Sequence, residues 1–449
     1  MKNDPTIGEK FETAATAQDV LAVISKWHDS DDNSIAFARV VCHYLYPDAN
    51  ANPTPVATDH TGGINIPKSG YYLIVDTSTF SDDDFYHAYN SFFLLNVPQT
   101  PYVVLVNHKV VKPTVEKEVY DNNDIGSTGG WGSSADHAIN EPFQFRLIAK
   151  LPASENNGRA YDYYKEYAVC FTDTLSDGIT FDKLDTVEIT NGDGSTPQVI
   201  NNYTLDPNNP QSSFKLSIDD VKTCVPDLNK GATITVTYTA HLNEKAYVNT
   251  VGGGTDNKNS VYLEYSNNPR ISTSLDHTTT SEVCVYTYQL NNTKHQDSEN
   301  GPVLEGAGFR LYSNEACNAE DEIKLKMNDD GTYSRDFSTE GKGVEMLSNK
   351  DGQFNVKGLD AGTYYLKETT PPTGYSACAN KEIVISATHD VNHVDLSGNL
   401  STTIINKKAG GITLPSTGGI GTTIFYVVGG GLMVAAIVLL VTKKRMENK

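Results

Sequence analysis

Two sets of three residues in this sequence have the types and spacing of an amide-forming centre. Side chains two positions apart on a strand share a face. By that rule Lys117 lies on the face of Val115 and Val119, in the run Val115-Glu116-Lys117-Glu118-Val119. Asp173 falls on the face of Tyr167, Val169 and Phe171, and Asn267 on the face of Val261, Leu263 and Tyr265. A second set repeats the pattern with Glu in place of Asp. Lys294 follows Tyr286, Tyr288 and Leu290, Glu368 follows Tyr364 and Leu366, and Asn406 follows Leu400 and Ile404. A lysine on an apolar face needs a partner, because lysine is rarely buried alone. Burial lowers a lysine pKa and raises that of a carboxylic acid. The result is a neutral amine beside a protonated acid. The acid polarises the Asn carboxamide, the amine attacks its carbon, ammonia leaves, and an amide joins the two side chains. The expected proton donors are Asp173 and Glu368, and the expected joined pairs are Lys117–Asn267 and Lys294–Asn406.

Such centres require strands, and the composition supplies them. The 449 residues suggest about three domains. Charged residues are only 20% while tyrosines number 25, which suits β-rich modules with many turns and not disorder. A net charge of −21 argues against nucleic acid or an anionic membrane as partner. Four regions are expected: 1–112, 113–277, 278–409 and 410–449. The first reads as helical from Pro5 to Tyr46, with apolar residues at three- and four-residue spacing over 17–24 and 35–42. Strand-like runs follow at 70–75, 91–97 and 102–106. The chain opens on Met1-Lys2-Asn3-Asp4 without a basic-then-apolar leader, so this domain is expected to be truncated.

Six cysteines occur, none in a CxxC pair, which argues against a zinc ribbon or a thioredoxin-type site. Cys42 falls on the helical apolar pattern and is expected in a core. Cys317 and Cys378 are the best-placed candidates for a disulfide. His389 and His393 have the spacing of a zincin helix but lack its Glu and lie among strand-like residues. No metal and no cofactor are expected, and no nucleophile–base motif points to an enzyme.

Near the end stands Leu414-Pro415-Ser416-Thr417-Gly418, then an apolar run from Ile420 to Val441, then Lys443-Lys444-Arg445. The run is long enough for one membrane helix, and the basic cluster places its end on the cytoplasmic side. This order resembles the sorting signal of Gram-positive surface proteins. The resemblance implies that a sortase cuts between Thr417 and Gly418, holds the Thr carbonyl as a thioester and hands it to an amine.

The surroundings of Lys117, Asp173 and Asn267 resemble the isopeptide domains of shaft pilins from sortase-assembled pili. The run 354–369 resembles the signature of collagen-adhesin B-type domains, including the pilin E-box. These resemblances imply a mainly β chain of tandem immunoglobulin-like (Cna-B-type) β-sandwiches, with a helical insertion in the N-terminal domain and a C-terminal transmembrane helix. They imply a structural shaft subunit, secreted and anchored to the cell wall, whose internal amides form once and do not turn over. Shaft pilins carry a linkage lysine at the end of the N-terminal domain, in a Tyr-Pro-Lys or Asn-Pro-Lys setting. Here Asn107-His108-Lys109 stands in that place, with Lys112 as nearest competitor. Implied partners are pilin-class and housekeeping sortases, other copies of the chain, accessory pilins and peptidoglycan. The alternative is a monomeric wall-anchored adhesin that binds a host surface ligand.

Overall fold

The computed structural model describes residues 2–5, 7–28, 31–46, 54–55, 58, 64–66, 68–75, 92–97, 112–122, 129–154, 159–207, 212–249, 257–269, 271–338, 342–398, 400–409 and 443. Lys109, the run 102–106, the LPSTG motif and the apolar run 420–441 lie outside the described residues. Among the described residues, no helix is long and apolar enough to cross a membrane.

The N-terminal region has two helices, α1 (Ala17–Ile24) and α2 (Asp32–Leu45), and an antiparallel pair, β1 (Gly70–Val75) and β2 (Phe92–Val97). A capping box starts α1: the Thr16 side chain accepts from the Asp19 amide while the Asp19 carboxylate accepts from the Thr16 amide. The helices bury one apolar face around Phe11, Trp27 and Phe37, whose rings stack edge to face or tilted. Cys42 is buried in the neighbouring cluster with Ala38 and Phe92.

The middle domain begins with β3 (Thr114–Asp121), β4 (Gly130–Gly132), β5 (Ser134–Asp136) and β6 (Pro142–Leu151). Next come β7 (Val169–Leu175), β8 (Ile179–Asn191), β9 (Gln198–Val199), β10 (Thr204–Asp206) and β11 (Phe214–Ile218). It closes with β12 (Ala232–Leu242), β13 (Lys258–Ser266), β14 (Leu275–His277) and β15 (Ser281–Tyr286). One sheet runs β4-β3-β6-β12-β8-β9; the other runs β10-β11-β7-β13-β15-β5, with β14 also on β13. The alternation of β12 is strict, every second residue from Ala232 to Leu242 being buried. Those side chains meet Phe171 and Leu263 of the facing sheet in one core, so the domain is a β-sandwich.

The C-terminal domain holds β16 (Tyr288–Gln296), β17 (Gly308–Tyr312), β18 (Glu322–Ile323), β19 (Leu325–Met327), β20 (Tyr333–Arg335) and β21 (Met346–Leu347). Then follow β22 (Val356–Leu359), β23 (Gly362–Thr370), β24 (Lys381–His389), β25 (Val394–Gly398) and β26 (Ser401–Asn406). Its sheets run β19-β20-β22-β16-β26 and β18-β17-β23-β24-β25, with β21 on β17. Strand β26 lies parallel to β16, so the last strand of the domain pairs with its first.

The two sandwiches meet along β15. This strand hydrogen-bonds into the middle domain's sheet through β13 and β5. Val283 and Val285 enter the middle core, whereas Cys284 and Tyr286 enter the C-terminal core. Beside it the Ile139 amide donates to the Gly358 carbonyl at 3.0 Å. A Cβ at position 358 would come within 2.4 Å of the Ile139 side chain, and the φ there is +74°, so this contact requires glycine.

Candidate functional site: two buried amine–amide centres

In the C-terminal domain the alternation along β16 buries Tyr288, Leu290, Asn292 and Lys294 on one face. Lys294 is wholly buried, and its Nζ donates to Asn406 Oδ1 at 2.8 Å and to the Ile404 carbonyl at 3.2 Å. Glu368 reaches across from β23 in the facing sheet. Asn406 Nδ2 donates to its Oε1 at 2.6 Å, and the Cys378 amide donates to its Oε2 at 2.8 Å. Burial pushes the Lys294 amine below the ordinary lysine range, against the pull of the Glu368 charge. An amine thus touches the carboxamide it would attack, while the leaving nitrogen already rests on an acid. The structure brings Lys294, Glu368 and Asn406 together.

The middle domain assembles its centre from four strands. Lys117 on β3 and Tyr238 on β12 belong to one sheet; Asp173 on β7 and Asn259 on β13 belong to the other. The Lys117 ammonium and the Asp173 carboxylate form a fully buried ion pair. Lys117 Nζ also donates to the Tyr238 hydroxyl at 3.1 Å, and that hydroxyl donates to Asp173 Oδ1 at 3.3 Å. Asn259 Nδ2 donates to the same hydroxyl at 2.6 Å. Lys117 Nζ lies 5.4 Å from the centre of the Phe145 ring and 5.5 Å from that of Tyr238. Burial lowers the Lys117 pKa to about 8 although Asp173 pulls it upward; burial likewise raises Asp173. Each shift moves the pair toward a neutral amine and a neutral acid.

The structure places Asn267 elsewhere. Strand β13 ends at Ser266, and Asn267 turns away: its Oδ1 accepts from the Ser274 hydroxyl at 2.7 Å and its amide donates to the Ser274 carbonyl at 3.3 Å. The expected alternation across 261–267 fails because the extended backbone does not continue to 267. The same face does extend backwards, through Tyr265, Leu263 and Val261 to Asn259, which is fully buried. The sequence reading began the strand at Val261 and missed its first three residues; a buried Asn two positions earlier was the available signal.

The expected disulfide is absent: no bond joins Cys317 to Cys378. The reason is the alternation of β23. Cys317 lies in the fields of Lys367 and Tyr365 on one face of that strand, whereas Cys378 neighbours Glu368 on the other. Burial beside Glu368 raises the Cys378 thiol to about 11, so it stays protonated and is a poor nucleophile. Lys112, the competing linkage lysine, is exposed.

Comparison with known proteins gives the same fold. Residues 289–399 match the SpaA family, described as a prealbumin-like fold domain, and residues 406–448 match the LPXTG cell wall anchor motif of Gram-positive proteins. No curated protein matches the chain. Among solved structures, a backbone pilin of Streptococcus pyogenes with a modular three-domain structure is 17% identical, with a TM-score of 0.50 over 84% of this chain and 88% of that one. The full-length major pilin SpaD of Corynebacterium diphtheriae is 22% identical, with a TM-score of 0.46 over 76% of this chain and 79% of that one. A 35 kDa C-terminal fragment of a Streptococcus agalactiae major pilin is 20% identical, with a TM-score of 0.46 over 66% of this chain and 99% of the fragment. The chain therefore has tandem β-sandwich domains of the pilin type and carries a cell-wall anchor that places it at the bacterial surface.

Proposed function

We propose that this chain, a wall-anchored surface protein with the pilin fold, is the shaft subunit of a covalently polymerised pilus whose domains lock themselves with internal amides. The carrying observation is the C-terminal centre, where Lys294 Nζ stands 2.8 Å from Asn406 Oδ1 and Asn406 Nδ2 rests on Glu368. Lys294 Nζ attacks Asn406 Cγ, the Nζ–Cγ bond forms and the Cγ–Nδ2 bond breaks. Glu368 carries the proton from the amine to the departing nitrogen, which leaves as ammonia. In the middle domain Lys117 and Asn259 join in the same way, with Asp173 as proton carrier and the Tyr238 hydroxyl holding both reactants. Asn259 Oδ1 is buried with no hydrogen-bond partner among the described residues, so no donor holds the carboxamide back from the amine.

Polymerisation uses the ends of the domain row. A pilin-class sortase cleaves between Thr417 and Gly418 and transfers the Thr417 carbonyl to Lys109 of the next copy. A housekeeping sortase finally joins the base of the fibre to peptidoglycan. An exposed lysine is almost wholly protonated at neutral pH, so the sortase must desolvate the amine or supply a base. Immunoblots of wall extracts test this reading. A high-mass ladder is expected, abolished by Lys109→Ala and kept by Lys112→Ala. A single band at subunit mass would instead mean a monomeric adhesin.

A further inference from the structure

The junction between the two sandwiches gathers groups that neither amide centre uses. His137 and Glu141 lie in the segment between β5 and β6 of the middle domain. Asp360 lies in the turn between β22 and β23 of the C-terminal domain. One ligand atom from each of the three falls within 4.8 Å of the others. The geometry points to a binding site for a divalent first-row transition-metal ion, held by His137, Glu141 and Asp360 and bridging the two domains.

The histidine is the strongest part of the case. Its side chain is almost fully buried, stacked on the Phe143 ring at 4.2 Å between centres. Its Nε2 lies 2.8 Å from the Tyr120 carbonyl, which can only accept, so Nε2 carries the proton and Nδ1 keeps its lone pair. That Nδ1 is buried and has no hydrogen-bond partner among the described residues. A backbone carbonyl that fixes the ring through one nitrogen and leaves the other for a ligand is the usual support of a metal-bound histidine.

The carboxylates are held in the same manner. Glu141 accepts from the Ala138 amide at 3.0 Å and from Asn122 Nδ2 at 3.1 Å, and Asp360 accepts from the Ala361 amide at 2.9 Å. The Asp360 carboxyl also hydrogen-bonds Asp136, and a carboxylate has about four lone-pair sites, so both groups keep capacity for a further ligand. Arg335 Nη1 approaches Glu141 no closer than 3.9 Å. Around a tetrahedral ion, ligand atoms stand ~3.4 Å apart, so small side-chain shifts would close the site. One nitrogen and two carboxylates suit zinc, cobalt or manganese better than the all-oxygen calcium or magnesium. Glu141 keeps 14% of its side-chain surface exposed, which leaves a narrow approach from solvent.

A second trio at this junction, Asp121, Asp136 and His389, needs no ion. There His389 Nε2 stands 3.7 Å from each carboxylate and its Nδ1 bonds the Ser134 hydroxyl at 2.9 Å, so both ring nitrogens are engaged.

The test is a Co²⁺ titration of the purified, EDTA-stripped chain, followed by visible absorption and by competition with Zn²⁺. About one ion per chain is expected, with affinity reduced at least about tenfold in Asp360→Asn and in Glu141→Gln. Both changes keep side-chain volume, and circular dichroism checks that the variants fold. His137→Gln should abolish the ligand-field band. A wild-type chain without a saturable band, or folded Asp360→Asn and Glu141→Gln variants of unchanged affinity, would overturn the assignment.

Discussion

The two amide centres each combine an amine, a carboxamide and a carboxylic acid but divide them differently between sheets. In the C-terminal domain Lys294 and Asn406 sit on neighbouring parallel strands of one sheet, and only Glu368 comes from the other. In the middle domain Asp173 and Asn259 sit on neighbouring strands of one sheet, and Lys117 faces them from the other. A bond at the first centre would tie first strand to last within a sheet; a bond at the second would rivet two sheets through the core. The difference shows what the chemistry demands. It needs an amine, a carboxamide and an acid within hydrogen-bond reach inside an apolar core, and two strand arrangements meet that demand. The rivet also requires a mediator, since Lys117 and Asn259 both touch the hydroxyl of Tyr238. The in-sheet pair touches directly.

Disabling the acids and amides one at a time would show how far the centres differ. The largest effect is expected from Glu368→Ala. It should leave Lys294 and Asn406 unlinked, reduce the shortfall of intact mass against the variant's own sequence mass by one ammonia equivalent, and strand a buried amine without its carboxylate. Lys294 and Asn406 are 112 positions apart. Losing a link that closes a loop of that length costs about 5 kcal/mol in the chain-entropy model, read as a lower melting temperature. Asn259→Ala should also be one ammonia equivalent heavier than its linked form; the link it loses is worth about 5 kcal/mol in the same model, but the Lys117–Asp173 pair survives, so no buried amine is stranded and the total cost is smaller.

The unlinked Asn259→Ala variant should show a further signature. Its Lys117 titrates at about 8 when folded and near 10.5 when unfolded. Between those values the unfolded chain binds more protons, so stability should rise with pH, by up to about 3 kcal/mol in denaturant titrations. The linked protein has no titrating amine there and should lack that slope. Asn267→Ala should change least: the same ammonia shortfall against its own sequence mass as the wild type, and about 1 kcal/mol for its lost bond to Ser274. An extra ammonia equivalent in that variant would restore Asn267 as the reacting group.

Alternation made most of this legible. It located β3, β7, β16, β23 and β26 closely enough to put Lys117, Asp173, Lys294, Glu368 and Asn406 on inward faces. It failed at the end of β13, where face and register depend on where the extended backbone stops; the Asn267-Asn268-Pro269 run after Ser266 is the turn signal that marks that end. Tyr238 was hidden for a different reason. A tyrosine on an apolar face looks like core, and its hydroxyl acquires a role only when the two sheets close over it. The junction cluster was equally hidden, because His137, Glu141 and Asp360 come from two domains and share no local motif. Cys317 and Cys378 suggested a bond through loop placement alone, and the two faces of β23 keep them apart.

Strand β15 carries one more consequence. Its alternate residues are anchored in two different cores, so neither sandwich can melt while the other keeps that strand intact. The pair should behave as one cooperative unit in calorimetry, with a single heat-absorption peak for both domains. In a fibre of the proposed kind these two domains would act as one stiff rod within each subunit. Flexure would then concentrate on either side of that pair, and the fibre would bend like a chain of long links.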